Sequence, residues 1–398
     1  MNMITAPAKI SFLYVNIGRG HPFYLDGIIE ALVRRGEIGL VRQQQDVFEI
    51  AHGLSAVCWR ATRWLYRTAP SQQFVGRIYH WLRRNNDYNR GSIALSLLGR
   101  DIRKQYATNT DPLVVSHPTL VGILKGRPGL IYQHGELAAP AESLVRGAEL
   151  VLVPTSEQAD QFGQAGYRPD QVVITGLCIE PALVKQAADA YQARLRRIQS
   201  DAPLAGVYFS SGAEPKPHVQ AILQTSLSSI RAGHRAMIFA QQGGRLATAV
   251  LHGCTNANVS VHRVNSNMAE IPESSQVILI EHQSRREENA LTARILPIAD
   301  FLVSPAHERT NWALGLGLPM MILEPCFGPF APINRRILLE HGVAYDLNVQ
   351  SEHRSFGERI DSMRSKGELT RLAERGWGRY PINGFEANAS LLAERYTR

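Results

Sequence analysis

The stretch Ile10-Ser-Phe-Leu-Tyr-Val-Asn-Ile-Gly-Arg-Gly-His21, near the N-terminus, decides the fold. Its apolar run is typical of a buried strand, and the two glycines let the backbone turn tightly after it. A helical pattern follows, with Ile28, Ile29, Leu32 and Val33 at helical spacing. A strand, a glycine-rich turn and a helix in this order open an α/β unit.

Short apolar runs recur along the rest of the chain, with helical stretches between them. Because these runs are bounded by Gly, Pro and polar residues, we expect buried strands of parallel sheets that are covered on both faces. The predicted strands after the first are Leu113–Ser116, Leu130–Tyr132, Leu150–Val153, Val172–Thr175, Gly206–Phe209, Met237–Ala240, Val277–Ile280, Phe301–Val303 and Met320–Leu323.

The strands fall into two groups, and a second strand, glycine loop and helix open at Gly206. The length of 398 residues suits two domains. We therefore predict an α/β protein with two Rossmann-like, doubly wound parallel-sheet domains, joined near residues 183–203. The predicted domains are residues 1–190 and 204–375.

Composition excludes several classes of protein. With 44% hydrophobic and 20% charged residues, the chain can bury sizeable cores, which excludes global disorder. The 4 cysteines lie far apart without a C-x-x-C pair, which argues against a disulfide scaffold or a zinc ribbon. The sequence shows no apolar run of about 18 residues and no signal peptide, so we expect a cytoplasmic protein. The net charge of +8 favours an anionic partner: a membrane surface, a phosphorylated ligand or a nucleic acid.

The loop Gly18-Arg19-Gly20-His21 is the first candidate site. Its glycines allow a ligand to approach the backbone closely, and the following helix N-terminus favours an anion or a polarised oxygen. A histidine here can take a proton from a hydroxyl, because its ordinary pKa lies near neutrality. The alternative is a strand-to-helix turn in which His21 has a capping role.

Two regions of the second half are candidates for binding a diphosphate. Small residues follow its first strand and leave room for a ligand, although a plain loop is the alternative. A polar loop later precedes a short helix whose N-terminus would favour a diphosphate, with Arg309 as the charge partner. The candidate residues are Ser210, Ser211, Gly212, His307, Glu308, Arg309, Thr310, Gly328 and Asn334.

His117 and His134 each follow an apolar strand, so both are expected at the ligand-binding end of the first sheet, with a structural role as the alternative. No His, Cys, Asp or Glu cluster has the spacing of a metal site, and we expect no metal and no cofactor.

Residues 56–84 combine arginines and tryptophans without any acidic residue. Aromatic rings and guanidinium groups on an amphipathic helix suit a membrane interface, where the guanidinium groups contact lipid phosphates. Packing of the tryptophans in the core and nucleic-acid binding are the alternatives, and we expect no nucleic-acid partner. The candidate membrane contacts are Trp59, Arg60, Arg63, Trp64, Arg67 and Trp81.

Taken in order, these motifs resemble a GT-B glycosyltransferase. The likeness is above all to the monogalactosyldiacylglycerol synthase and processive diacylglycerol glucosyltransferase family, and also to the lipid-linked N-acetylglucosaminyltransferase of peptidoglycan synthesis. It rests on the Gly18–His21 loop, on Thr175-Gly-Leu-Cys-Ile-Glu-Pro181 and on Gly317-Leu-Pro319. The resemblance implies two domains that face each other across a cleft, the second holding a nucleotide sugar and the first an acceptor. It also implies that residues 376–398 form a C-terminal helix that crosses back to the first domain.

The resemblance therefore predicts an inverting, metal-independent glycosyltransferase. It would move a sugar from a nucleotide-sugar donor, usually a UDP-sugar, to a hydroxyl group. The acceptor would be a lipid or another amphipathic molecule at an anionic membrane surface. His21 would be the catalytic base, and Gly18, Gly20, His134 and Glu136 would bind the acceptor. The protein would be cytoplasmic and peripheral to the membrane.

Two other functions stay open. Trp312, Pro329 and Phe330 stand where the family has residues that bind the ribose and the sugar, and neither an indole nor a Pro-Phe pair can replace their hydrogen bonds. A non-catalytic ligand- or lipid-binding protein with a degenerate donor site is the first alternative. A nucleotide-sugar epimerase is the second.

Overall fold

The computed structural model describes residues 9–17, 20–68, 87–106, 108–266, 275–347 and 349–397, with the backbone alone for 66–68. Contacts divide the chain into two units. Unit 1 comprises Met1–Pro181 and Pro381–Arg398, and unit 2 comprises Ala182–Tyr380. Residues 182–190, which the predicted boundary assigns to the first domain, group with unit 2.

Unit 1 contains a six-stranded parallel sheet in the order β2-β1-β3-β4-β5-β6. Its strands are β1 Ile10–Tyr14, β2 Val41–Asp46, β3 Leu113–Val115, β4 Leu130–Gln133, β5 Leu150–Val153 and β6 Val172–Ile174. Its α-helices are α1 Gly20–Arg34, α2 Val47–Ile50, α3 Gly53–Thr68, α4 Ile93–Leu98, α5 Arg100–Tyr106, α6 Pro118–Ile123 and α7 Ser156–Gln164.

Unit 2 contains a seven-stranded parallel sheet in the order β13-β12-β11-β7-β8-β10-β9. Its strands are β7 Ala205–Phe209, β8 Arg235–Gln241, β9 Val261–Val264, β10 Val277–His282, β11 Phe301–Ser304, β12 Met320–Leu323 and β13 Ala344–Leu347.

Helices lie between the strands of unit 2 as they do in unit 1. Helix α8, Pro181–Lys185, starts at the boundary between the units. The helices that follow are α9 Ala187–Ile198, α10 Lys216–Arg231, α11 Arg245–Asn256, α12 Arg285–Ile295, α13 Thr310–Leu316, α14 Ala331–Glu340, α15 Gln350–Arg354, α16 Phe356–Ser365 and α17 Glu368–Gly376.

The predicted α/β architecture with two parallel sheets is confirmed, and each predicted strand is present. Three further strands, β2, β9 and β13, are missing from the prediction. All three lie at a sheet edge, where a strand pairs on one side and carries more polar residues. The β2 sequence Val41-Arg-Gln-Gln-Gln-Asp46 shows why apolar runs do not detect such strands.

The last helix, α18 Gly384–Tyr396, packs on α1 of unit 1. A Cβ on Gly27 would lie 2.4 Å from the ring of Phe385, so the absence of a side chain at Gly27 makes this close contact possible. The buried amide of Asn388 donates to Oε1 of Gln133 at 2.9 Å. No helix in the described ranges is long and apolar enough to cross a lipid bilayer.

Candidate functional site

Open parallel sheets bind ligands at the carboxyl ends of the strands, where the strand order reverses. In unit 1 the chain places β2 and β3 on opposite sides of β1, so the reversal lies between β1 and β3. In unit 2 the strands β8 and β11 lie on opposite sides of β7, so the reversal lies between β7 and β11. Each unit therefore has a reversal point of its own.

His21 lies at the reversal point of unit 1, where it forms two hydrogen bonds with Ser116. Nδ1 of His21 is 2.7 Å from the carbonyl oxygen of Ser116, and the Ser116 hydroxyl donates to the His21 carbonyl oxygen at 2.6 Å. Because a carbonyl oxygen only accepts, Nδ1 carries the proton and the lone pair of the neutral ring is on Nε2. In this tautomer the neutral ring can accept a proton at Nε2.

A carboxylate lies at the start of the same helix. A Cβ on Gly20 would be 3.2 Å from Oε1 of Glu136, so the carboxylate closely approaches the first turn of α1. The positive end of the helix dipole stabilises a carboxylate there. The structure thus places Glu136, which is distant in sequence, beside Gly20, the residue directly before His21. Gly18 lies outside the described residues.

His134 lies in the core of unit 1 and is 3% exposed. Its ring packs edge-on against Phe162 and Tyr132, with centroids 5.3 and 5.8 Å away. Burial lowers the pKa of His134 from 6.5 to about 3, so the ring is neutral at physiological pH. The expected acceptor contact gives way here to the structural alternative, since the ring is enclosed by aromatic neighbours.

In unit 2, side chains of two helices form hydrogen bonds with the loops near the reversal point. Asn334 of α14 donates from Nδ2 to the carbonyl oxygen of Ala306, after β11, at 3.1 Å. His218 of α10 places Nε2 3.0 Å from the carbonyl oxygen of Pro325, after β12. Burial lowers the pKa of His218 to about 4 and also lowers that of His307, so both rings are neutral near pH 7.

Four buried polar atoms in these loops and helices have no hydrogen-bond partner among the described residues. They are Oγ of Ser210, Oγ1 of Thr310 and Oδ1 of Asn334, besides Nδ1 of His218. Thr310 and Asn334 are fully buried, and an unpaired buried polar group costs about 1–3 kcal/mol. Unpaired buried polar atoms of this kind are typical of positions that a ligand or water completes.

Arg309, the predicted charge partner of a diphosphate, is buried and lies between two carboxylates. It is 4% exposed, and its guanidinium lies 4.0 Å over the ring of Phe209. One terminal nitrogen donates to Glu288 at 2.6 Å, and the other lies 3.4 Å from Glu308. The positive charge is thus already shared by two carboxylates, one of which, Glu308, is itself a predicted donor-site residue.

Trp312 and the glycines of the predicted donor site have different surroundings. Trp312 is 2% exposed and packs edge-on against Phe209 at 5.5 Å, so it is a core residue. Gly212 and Gly328 have open space where a side chain would be, and Gly328 has φ +79°. Ser211, beside Gly212, is half-buried. Ser211, Gly212 and Gly328 are therefore accessible to a ligand, whereas Trp312 is not.

Unit 2 contains a polar cavity of about 830 Å³ that the sequence did not predict. It lies at the carboxyl ends of β8, β9 and β10, and an ion pair of 2.7 Å between Arg263 and Glu281 forms part of its wall. No local motif could reveal it, because the lining residues come from separate strand ends. They are Gln242, Arg263, Val264, Asn265, Ser266, Glu281, Gln283, Ser284, Arg286, Glu287 and Ala290.

The predicted membrane contact of Trp59 is wrong. Trp59 is 1% exposed, belongs to the core of unit 1, and donates from Nε1 to the carbonyl oxygen of Leu98 at 3.0 Å. An indole enclosed in this way cannot reach a lipid headgroup.

The opposite face of α3 is apolar and exposed. Leu54, Val57 and Trp64 are 54%, 56% and 59% exposed, and successive residues of a helix are rotated by about 100°. Arg60 is exposed, whereas the guanidinium of Arg63 lies 4.9 Å over the ring of Phe48. The side chain of Arg67 and all of Trp81 lie outside the described residues.

The sequence matches no protein-family model and no curated protein. The fold is similar to that of S. aureus MnaA, solved with UDP, with TM-score 0.52, 12% identity, and coverage of 98% of this chain and 96% of that one. It is similar to Methanocaldococcus jannaschii UDP-GlcNAc 2-epimerase in complex with UDP-GlcNAc and UDP, with TM-score 0.50, 10% identity, and 98% and 100% coverage. It is also similar to the glycotransferase of kitacinnamycin, with TM-score 0.51, 12% identity, and 98% and 100% coverage. At these identities the likeness shows a GT-B-like fold.

No group of three or more His, Cys, Asp and Glu side chains in the described ranges is arranged to hold a metal ion.

Proposed function

We propose that the protein is an inverting, metal-independent glycosyltransferase that moves a sugar from a UDP-sugar to a hydroxyl of a lipid or other amphipathic acceptor. The observation that carries the proposal is the bond of 2.7 Å between Nδ1 of His21 and the Ser116 carbonyl oxygen, which leaves Nε2 as the proton acceptor. The fold likeness to proteins solved with UDP or UDP-GlcNAc supports the choice of donor.

Unit 2 would bind the donor through the unpaired polar atoms near its reversal point. The hydroxyls of Ser210 and Thr310 can donate to phosphate oxygens. Oδ1 of Asn334 can only accept, so its partner must be a donor such as a ribose or sugar hydroxyl. A nucleotide sugar carries both kinds of group and would satisfy all three atoms. The polar cavity of about 830 Å³, at the carboxyl ends of β8, β9 and β10 of the same sheet, would offer further polar contacts to its hydroxyl groups.

The transfer step follows from the chemistry of His21. Nε2 takes the proton of the acceptor hydroxyl while its oxygen forms a bond to the anomeric carbon. The bond between that carbon and the diphosphate oxygen breaks on the opposite face, so the configuration inverts and the nucleoside diphosphate leaves. The Glu136 carboxylate, at the start of the helix that carries His21, would favour the resulting imidazolium.

A panel of nucleotides and nucleotide sugars tests donor binding by thermal stabilisation. A donor at about 100 times its Kd should stabilise the protein by roughly 2.7 kcal/mol. With that donor and amphipathic acceptors, His21→Ala should lower kcat by about 100-fold or more. The matched control is His252→Ala, which removes an exposed histidine of unit 2. Near-normal turnover of His21→Ala would refute the assignment of the base.

The exposed apolar face of α3 supports contact with a membrane surface. Leu54, Val57 and Trp64 would enter the interface, and Arg60 would contact lipid phosphates. Removing two of these three apolar contacts, in Val57→Ser with Trp64→Ser, should lower binding to anionic phospholipid vesicles by about tenfold or more. The control Ile93→Ser removes another exposed apolar side chain of unit 1, which is 83% exposed, and should leave binding unchanged. Equal losses in both variants would contradict the assignment of α3.

One observation favours a second function, a GT-B-like protein that binds its ligand without transferring a sugar. Because Glu288 and Glu308 already share the charge of Arg309, less positive charge is left for a diphosphate. Such a protein would be stabilised by a nucleotide sugar and form no product with any acceptor. Epimerisation of the sugar in the absence of an acceptor would instead identify the third possibility, an epimerase.

A further inference from the structure

A second imidazole lies against His21 at the reversal point of unit 1. His117 follows β3, and the centroids of the two rings are 4.3 Å apart with an interplanar angle of 55°. Both rings are half-buried. At this distance the two rings are in contact, so the His117 ring limits the positions that the His21 ring can take.

The backbone determines the tautomer of His117 as well. Its Nδ1 accepts a hydrogen bond from the backbone N–H of Thr119 at 3.1 Å, which makes His117 the N-cap of α6. Nδ1 must therefore hold a lone pair, and the neutral His117 ring carries its proton on Nε2. In His21 the arrangement is the reverse, because Nδ1 donates to the Ser116 carbonyl oxygen.

The capping bond requires an unprotonated Nδ1 on His117. Protonation of its ring would place a second proton on Nδ1 and break the bond from Thr119. A neutral neighbour matters when His21 becomes positively charged by accepting a proton, because a like charge 4.3 Å away would oppose that step.

We propose that His117 is a positioning residue for His21. Its neutral ring holds the imidazole of His21 against the Ser116 carbonyl oxygen and so keeps the lone pair on Nε2. The use of that lone pair in catalysis rests on the proposed function, whereas the positioning itself does not.

Two substitutions separate this role from the capping role of His117. His117→Asn keeps a good N-cap and removes the ring, whereas His117→Phe keeps a ring and removes the cap. If His117 only caps α6, the asparagine variant should be normal and the phenylalanine variant defective. If His117 positions His21, the asparagine variant should lose the single tautomer of the His21 ring, although its Tm stays close to that of the wild type.

The ¹⁵N chemical shifts of the His21 ring report its tautomer without any substrate. We expect a single Nδ1-protonated form in the wild type and in His117→Phe, and a mixture of the two tautomers in His117→Asn. With donor and acceptor present, His117→Asn should lower kcat about tenfold with little change in KM, and His117→Phe should restore most of the loss. The same single tautomer in all three proteins would overturn the proposal, even if no transferase activity is found. Failure of the proposed function would instead appear as His21→Ala without effect on turnover.

Discussion

Replacing His134 with glutamine should make the folding of unit 1 less sensitive to acid. The ring of His134 is buried and its pKa is lowered to about 3, whereas an unfolded histidine has a pKa of about 6.5. Between these values the unfolded chain binds a proton that the folded chain does not bind. The free energy of unfolding therefore rises with pH in this window and is lost as the pH falls below about 6.5.

The size of the effect follows from the two pKa values. Lowering the pH from 7.5 to 5 protonates nearly all of the unfolded His134 and almost none of the folded form. Linkage then predicts that this one group removes about 2 kcal/mol from the free energy of unfolding. His134→Gln keeps a neutral acceptor near the Tyr132 hydroxyl, which is 3.3 Å from Nδ1 in the wild type, but cannot bind the proton.

Urea-induced unfolding at pH 7.5 and pH 5 provides the assay, with amide hydrogen exchange of peptides from β4 to report on unit 1. The variant should start from a lower stability at pH 7.5 and lose about 2 kcal/mol less than the wild type on acidification. His252→Gln removes an exposed histidine and serves as the control for burial. An acid loss in His134→Gln as large as that of the wild type would refute the argument from burial.

Three further predictions concern stability. Gly376→Ala should lower the free energy of unfolding by about 1–3 kcal/mol in thermal unfolding, since its Cβ would lie 2.0 Å from the carbonyl oxygen of Ala313. The control Gly163→Ala, in open space on a helix, should gain about 0.5–1 kcal/mol, and equal effects of the two would contradict the packing argument. Arg194→Met should cost about 3 kcal/mol or more in urea, because three buried backbone carbonyl oxygens lose their donor at about 1–3 kcal/mol each, and a loss under about 1 kcal/mol would speak against this. Asn388→Leu should speed backbone amide exchange in the last helix, because Oε1 of Gln133 loses its hydrogen-bond donor. Unchanged exchange would count against this contact.

The central strands of both sheets follow from local sequence. Runs such as Leu150–Val153 and Met320–Leu323 are buried on both faces, so their apolar side chains show where they lie. The edge strand Val41–Asp46 alternates between half-buried and exposed residues and has no such pattern. Its place in the sheet depends on pairing with β1, a strand from a different part of the sequence. The residues of β2 alone do not show this pairing.

The candidate site of unit 1 was partly visible in the sequence. The glycine turn before His21 predicts a functional histidine at a strand end, since a short motif carries both the turn and the ring. The partner that sets its tautomer, Ser116, is 95 residues away and becomes known only when β1 and β3 pair. The ring contact with His117 has the same origin.

The sequence by itself determined the fold class, the central strands and the residue types that carry chemistry, because these depend on the periodicity and composition of neighbouring residues. Only the tertiary structure decided which of two tryptophans on one helix is buried, Trp59, and which is exposed, Trp64. It also decided that the charge of Arg309 is shared by Glu288 and Glu308. Burial and charge pairing depend on which distant segments fold against a side chain, and that information lies in the packing of the whole unit.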